Sequence, residues 1–161
     1  LLISMVNELL DLARIEARRG SDLRPEPCRL DTLVRDAVAP FAGASARHTF
    51  RLDLAPGDAL VRLDPEKTHR ALTNVLDNAV KFTPAHGRVS VSSRGANGVR
   101  EFAVTNTGDP IPDEDLPRLF ERFFRGDRSR RTSGGSGLGL AIARELVELN
   151  GGRIAARVFP Q

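Results

Sequence analysis

The chain has 161 residues, of which 40% are hydrophobic, and this is enough for one domain of ordinary size. Its 24 basic and 21 acidic residues leave a net charge of only +3, and the arginines are scattered among acids. A mixed solvated surface is therefore predicted, and no nucleic-acid patch. The single cysteine, Cys28, excludes an internal disulfide and a cysteine-based metal site. No apolar run approaches the ~18 residues of a membrane span.

Three helices are predicted in the first half of the chain. Residues 1–17 repeat apolar side chains at the spacing of a helical bundle, which favours the end of a longer, dimerising helix over packing on its own domain. Residues 20–27 are rich in Gly, Ser and Pro and are interpreted as a linker. A second helix is predicted from an N-cap at Asp31 to about Gly43, and a third, central helix begins after the predicted N-cap Asp64.

Five segments alternate between apolar and polar residues and are predicted to be strands. They are residues 49–54, 59–63, 88–94, 99–105 and 153–159. The third and fourth flank a glycine-containing turn and are predicted to form a hairpin. The order of elements predicts an α+β fold, a two-layer α/β sandwich with helices on one face of a mixed sheet.

The central helix carries a row of polar residues. Asn74, Asn78 and Lys81 lie four and three positions apart, so they share one helical face. Asparagine is neutral to unfavourable inside a helix, and two on one face suggest a function for their amides. An amide oxygen suits Mg²⁺, Lys81 supplies charge for phosphate, and Phe82 offers an apolar face for a base. For either asparagine taken singly, a hydrogen-bonded buried amide is an equal alternative.

Residues 135–139, GSGLG, open directly into a helix predicted to begin at Leu138. Glycines at such a place allow several backbone N–H groups to point at one anion, and the helix dipole favours negative charge there. The loop has the physics of a phosphate cradle, with a plain linker as the alternative. It matches neither the Walker nor the dinucleotide-binding pattern.

Four segments, in order along the chain, resemble the motifs of sensor histidine kinases. LTNVLDNAVKFT is similar to the N box, VTNTGDPIP to the first glycine box, FERFFRGD to the F box and GGSGLGLAIA to the second glycine box. The segment LLISMVNELLDLARIEA resembles the end of the second helix of the kinase dimerisation domain. The Pro-Ile-Pro of the first glycine box resembles the heavy-metal-sensing branch.

The resemblance implies a sandwich of the Bergerat ATP-binding type, preceded by a stub of the dimerisation helix. Residues 1–19 would end that helix, residues 20–27 would be a linker, and residues 28–161 would be the ATP-binding catalytic domain with its last strand truncated. Residues 113–134 would form the lid over ATP.

The resemblance also assigns roles in binding Mg-ATP. Asn78 would hold Mg²⁺ with Asn74 assisting, Lys81 would touch phosphate, and Arg130 or Arg131 would reach the γ-phosphate. The other nucleotide-binding positions implied are Phe82, Asn106, Gly108, Ile111, Gly135, Gly137, Leu138 and Gly139.

Three positions bear on the chemistry that the resemblance implies. Related gyrase-type ATPases carry a glutamate at the position of Asn74; an amide cannot activate water, which fits transfer to an imidazole. Asn106 replaces the aspartate that accepts from the adenine amino group, which predicts weakening by about 1 kcal/mol. Pro110 replaces a glycine and removes a backbone donor.

In the intact protein, the resemblance implies transfer of the γ-phosphoryl group to a histidine of the dimerisation domain, and then to an aspartate of a response regulator. That histidine lies upstream of Leu1, and His48, His69 and His86 are interpreted as ordinary surface histidines. A homodimer is implied, with a cytoplasmic kinase domain and an anchor in the inner or plasma membrane. A nucleotide-binding scaffold with weakened catalysis and a related protein-serine kinase are the alternatives.

Overall fold

The computed structural model describes residues 2–44, 46–57, 60–96, 98–126 and 135–159. They belong to two compact units, Arg24–Asp109 and a second unit made of Leu1–Leu23 with Pro110–Gln161. The helices are α1 Leu2–Arg18, α2 Leu30–Ala44, α3 Pro65–Phe82 and α4 Gly139–Leu149, with a 3₁₀ turn at Leu116–Arg118. The strands are β1 Glu26–Arg29, β2 Thr49–Asp53, β3 Leu60–Leu63, β4 Arg88–Ala96 and β5 Val99–Asn106. Within these described ranges, no helix is both long and apolar enough to cross a bilayer.

The central helix α3 begins and ends where its capping residues predict. The Asp64 carboxylate accepts from the Lys67 backbone N–H at 3.0 Å, and Pro65 occupies the first turn, where its missing donor costs nothing. A second bond from the Arg24 N–H, at 2.9 Å, ties the same carboxylate to the start of the unit. At the other end Thr83 is extended, and the following proline cannot continue a helix.

The unit Arg24–Asp109 is a two-layer sandwich around a three-stranded mixed sheet in the order β2-β4-β5. β2 runs parallel to β4, and β4 pairs with β5 as the predicted antiparallel hairpin. Helices α2 and α3 bring Val34, Ala37, Val38 and Leu76 to a buried cluster with Val91 of β4. Phe50, Leu52, Phe102 and Val104 of the flanking strands pack on that cluster, so the two helices cover one face of the sheet. The predicted fold class is confirmed.

The second unit contains α1 and α4, which contact each other. Leu12 of α1 and the apolar face of α4, which includes Ile142 and Leu146, are almost fully buried. α4 ends at two glycines: the Gly151 N–H donates to the Glu148 carbonyl and the Gly152 N–H to the Val147 carbonyl, each at 2.9 Å. These two bonds are the Schellman pattern, with Gly151 at a φ of 77°.

Three local predictions differ from the structure. The strand predicted over residues 153–159 is wrong, since this segment has no regular secondary structure and the described part of its unit contains no strand to pair with. Strand β1 takes up the last two residues of the predicted linker and pairs with β3, an interaction that the local pattern does not encode. Asp31 lies inside the first turn of α2, where its negative charge suits the helix dipole, and does not precede the helix.

Candidate nucleotide-binding site

The polar row on α3 is present in the structure. Another side of α3 faces the core, because Leu76 and Ala79 are buried and Leu72 packs on the core cluster. Asn74, Asn78 and Lys81 are therefore kept at the half-buried side of the helix. Asn74 has a polar interaction within the chain.

The last turn of α3 holds a cation beside an aromatic ring. The Lys81 Nζ lies 5.4 Å from the centroid of the neighbouring Phe82 ring, which is within the range of a cation–π contact. Both side chains are half-buried. One turn of helix thus offers a positive charge and an apolar face at adjacent positions.

The segment after β5 approaches this end of α3. A Cβ placed on Gly108 would lie 3.0 Å from the Phe82 carbonyl oxygen, so a side chain here would require the two segments to move apart by a few tenths of an ångström. The exposed Asn106 donates from its Nδ2 to the Thr107 carbonyl at 3.3 Å. The amide oxygen is the acceptor of this side chain, and the NH₂ group has a second hydrogen to donate.

In the second unit, the glycine loop packs against the F-box segment FERFFRGD, called the phenylalanine-rich segment below. The Phe123 N–H donates to the Gly137 carbonyl at 3.0 Å. Gly137 has a φ of 73°, and a Cβ there would lie 2.9 Å from the Phe123 and Phe124 backbones. By contrast, a Cβ on Gly139 would meet no described residue within 4 Å, so among the described residues space remains open at the first turn of α4. That opening is where a helix N-terminus binds an anion.

A serine of this loop, which the sequence did not single out, fixes its shape. The buried Ser136 hydroxyl accepts from the Leu138 N–H at 3.1 Å and donates to the Glu8 carboxylate on α1. Ser136 thereby satisfies one of the orphan donors at the start of α4. Arg122 of the phenylalanine-rich segment forms an ion pair with Glu16, also on α1. A serine between glycines, just before a helix, could have suggested the bond to the Leu138 N–H. The bond to Glu8 could not be predicted, because Glu8 lies 128 positions away in the chain.

The remaining predicted site residues differ in how they are placed. Gly135 is half-buried, Leu138 is fully buried, and Ile111 is 37% exposed. Arg130 and Arg131 lie outside the described residues, and so does part of the predicted lid. Of the three histidines, His48 and His69 are half-buried and His86 is exposed, and the His48 Nε2 lies 3.1 Å from the Thr83 carbonyl oxygen.

The donor set fits a magnesium ion that is held mainly by a nucleotide. In the described ranges, no group of three or more His, Cys, Asp or Glu side chains is placed to bind a metal. The polar row instead offers the Asn78 amide oxygen. Mg²⁺ keeps several waters and accepts phosphate oxygens alongside one or two protein ligands, so this sparse set suits it.

One unit thus carries an amide-bearing helix in a two-layer sandwich, and the other carries a glycine loop at a helix N-terminus, a place that suits phosphate. Comparison with protein families identifies the family of the chain. Residues 63–160 match the family described as histidine kinase-, DNA gyrase B- and HSP90-like ATPases, and the chain belongs to this family. ATP is the nucleotide that the family indicates.

The relatives of the chain are sensor histidine kinases. It is 39% identical to the sensor-like histidine kinase SenX3 of Mycobacterium tuberculosis over 93% of its length and 37% of that relative's. The solved mycobacterial sensor histidine kinase MprB is 32% identical, with a TM-score of 0.69 over 80% of this chain and 81% of that one. The histidine kinase ThkA, solved in complex with the response regulator TrrA, is 25% identical with a TM-score of 0.70 over 93% of this chain and 44% of that one. The chain spans about a third of the length of the curated relatives it matches.

Proposed function

We propose that this chain binds Mg-ATP and, within a longer protein, transfers the γ-phosphoryl group to a histidine of a dimerisation domain. The observation that carries this proposal is the half-buried row of Asn74, Asn78 and Lys81 on α3, in a chain whose relatives are sensor histidine kinases. The phosphorus–nitrogen bond forms as ADP leaves. Because the attacking imidazole nitrogen already has a free lone pair, the transfer requires positioning and charge neutralisation more than proton removal.

In this proposal, each residue of the α3 group has one task. Asn78 provides the amide oxygen for Mg²⁺, which when bound neutralises phosphate charge, and Asn74 assists. Lys81 contacts phosphate and Phe82 packs on the nucleotide. The amide oxygen of the exposed Asn106 accepts from the adenine amino group.

The glycine loop is proposed to bind phosphate. Gly135, Gly137 and Gly139 present backbone N–H groups near the start of α4, where the helix dipole adds positive charge. Ile111, which is 37% exposed, provides apolar contact to the nucleotide, the fully buried Leu138 supports the loop from the core side, and Arg130 or Arg131 neutralises the γ-phosphate. The open space at Gly139 supports this assignment.

The amide at position 74 is the reason to propose transfer to histidine over hydrolysis of ATP. A carboxylate at this position can accept a proton from an attacking water, whereas an amide has no basic atom for it. A neutral imidazole nitrogen already carries its lone pair and needs no base. The chain is therefore suited to a nucleophile that arrives ready to react.

Partners and location are proposed from the relatives and from α1. The exposed side chains of Ile3, Val6, Leu9 and Leu10 would pair with another helix of a homodimeric dimerisation domain. A response regulator would take the phosphoryl group onward, as the complex of ThkA with TrrA suggests. A cytoplasmic kinase domain on a membrane-anchored protein, and membership of the heavy-metal-sensing branch, remain proposals.

A second candidate function is a nucleotide-binding scaffold with weakened catalysis. Asn106 in place of an aspartate favours it, since it removes a charge-assisted bond to adenine. Pro110, which is exposed, removes a backbone donor next to the same segment.

Calorimetry of ATP binding with and without Mg²⁺ tests the first proposal. The parent chain should bind ATP more tightly with Mg²⁺, and Asn78→Ala should weaken Mg-dependent binding about tenfold or more, because it removes the amide oxygen ligand. Asp77→Ala is the matched control, since Asp77 is exposed on the same helix, and its binding should equal that of the parent. If the parent binds no ATP in the presence of Mg²⁺, the kinase proposal is wrong.

A further inference from the structure

A cleft of about 630 Å³ opens beside the C-terminal ends of α2 and α3 in the unit Arg24–Asp109. Pro40 and Phe41 of α2 form one apolar wall, and Val80 and Ala85, from α3 and the turn after it, contribute to the other. Cavities of roughly 300–1,000 Å³ with mostly apolar walls are typical of small-molecule sites. The size and walls of the cleft suit an aromatic or aliphatic body.

The remaining side chains around the cleft are predominantly basic. Arg47, His48 and Lys81 line it, whereas no carboxylate is found among its described lining residues. Two permanent cations and an imidazole beside an apolar surface attract an anion and repel a cation. The charge complementarity therefore selects one class of ligand, an organic anion.

Hydrogen bonds hold the rim of the cleft in place. The His48 ring is fixed by Nε2, which lies 3.1 Å from the Thr83 carbonyl oxygen. The Thr83 hydroxyl in turn donates to the Ala79 carbonyl at 2.6 Å. The His86 N–H donates to the Arg47 carbonyl at 2.7 Å, which ties the loop before β2 to the turn after α3. The segments that carry the basic side chains are therefore held together by hydrogen bonds.

The cleft lies to one side of the polar row of α3. Val80 is two positions after Asn78, which is about 200° around a helix of 3.6 residues per turn, so it faces away from the metal-binding amide. Lys81 is about 60° from Asn78 and lies between the two surfaces. The cleft and the polar row thus have one residue in common, Lys81.

We propose that this cleft binds a small organic anion, with the apolar body against Phe41 and Val80 and the acidic group at Arg47 and Lys81. This site is additional to the nucleotide site of the proposed function. Because Lys81 serves both, an occupant of the cleft draws the ammonium away from phosphate. Such a ligand would weaken ATP binding without entering the nucleotide site.

The test uses a matched pair of fluorescent probes, 8-anilinonaphthalene-1-sulfonate and its uncharged parent N-phenyl-1-naphthylamine. The sulfonate should bind saturably, and about tenfold more tightly than the neutral probe. Arg47→Gln removes an exposed cation and should weaken the sulfonate about fivefold or more. Ala85→Trp, which fills the cleft from an exposed position, should abolish binding of both probes.

Two controls separate this site from the rest of the molecule. Arg51→Gln removes an exposed arginine of β2 that does not line the cleft, and should leave sulfonate binding unchanged. Asn78→Ala should also leave it unchanged while impairing Mg-ATP binding, so failure of the proposed function would not disturb this result. Equal binding of the two probes, no effect of Arg47→Gln and Ala85→Trp, or loss of sulfonate binding in Asn78→Ala would each overturn the proposal.

Discussion

At the scale of single residues, Asn106 is the position proposed to contact the adenine amino group. Asn106→Asp should tighten ATP binding by about 1 kcal/mol, roughly fivefold, because a carboxylate accepts the adenine amino hydrogen in a charge-assisted bond. Calorimetry with ATP and with inosine triphosphate checks this, since the second nucleotide lacks the amino group. The gain in affinity should appear with ATP and not with inosine triphosphate. An equal gain with both nucleotides, or none with ATP, would show that Asn106 does not contact the amino group.

Within the glycine loop, substitution by alanine should change stability differently at Gly137 and at Gly139. Gly137→Ala should destabilise the protein by about 2 kcal/mol or more, because its φ of 73° and a Cβ at 2.9 Å from the Phe123 backbone are both unfavourable. Gly139→Ala should leave stability equal or slightly higher, since a Cβ there meets no described residue within 4 Å. Urea unfolding followed by circular dichroism compares the two. Equal stability of the two variants would contradict the close fit at Gly137.

At the scale of elements, the N-terminus of α3 depends on one buried carboxylate. Asp64→Ala removes the acceptor for both the Lys67 and Arg24 N–H groups and should cost about 2–3 kcal/mol. Asp77→Ala, on the exposed face of the same helix, should change stability by less than about 0.5 kcal/mol. Thermal unfolding of both variants measures the difference. A small loss in Asp64→Ala would mean that water replaces the carboxylate at the cap.

The contrast between α3 and the strands shows what the sequence could predict. Both ends of α3 were predictable because Asp64-Pro65 and Thr83-Pro84 act through local backbone geometry. Strand β1 was not predictable, since its EPCR sequence does not alternate and its existence depends on pairing with β3, more than 30 residues later. In residues 153–159 the alternation corresponds only to half-buried Ile154 and Ala156 between exposed residues, and a strand also needs a partner.

In the candidate site too, features set by local sequence were predictable and contacts between distant residues were not. Asn74, Asn78 and Lys81 were predictable because helical spacing alone places them on one face. The bond of Ser136 to Glu8 and the contact of His48 with Thr83 were not, since each joins residues far apart in the chain. The cleft beside Lys81 also depends on α2, the loop before β2 and the end of α3 meeting in space.

At the scale of the whole molecule, the amide at position 74 predicts where the phosphoryl group goes. When the chain is mixed with the dimerisation helices of its own protein and ATP labelled at the γ-phosphate, the label should appear on those helices. Phosphohistidine is labile in acid and stable in alkali, whereas phosphoserine behaves in the opposite way, so treatment of the labelled product distinguishes the two acceptors. Acid-labile label is expected, and Asn78→Ala should reduce its rate of formation about tenfold or more through loss of the metal ligand. Acid-stable label would identify a protein-serine kinase, and ATP binding with no label on any protein would leave the scaffold as the function of this chain.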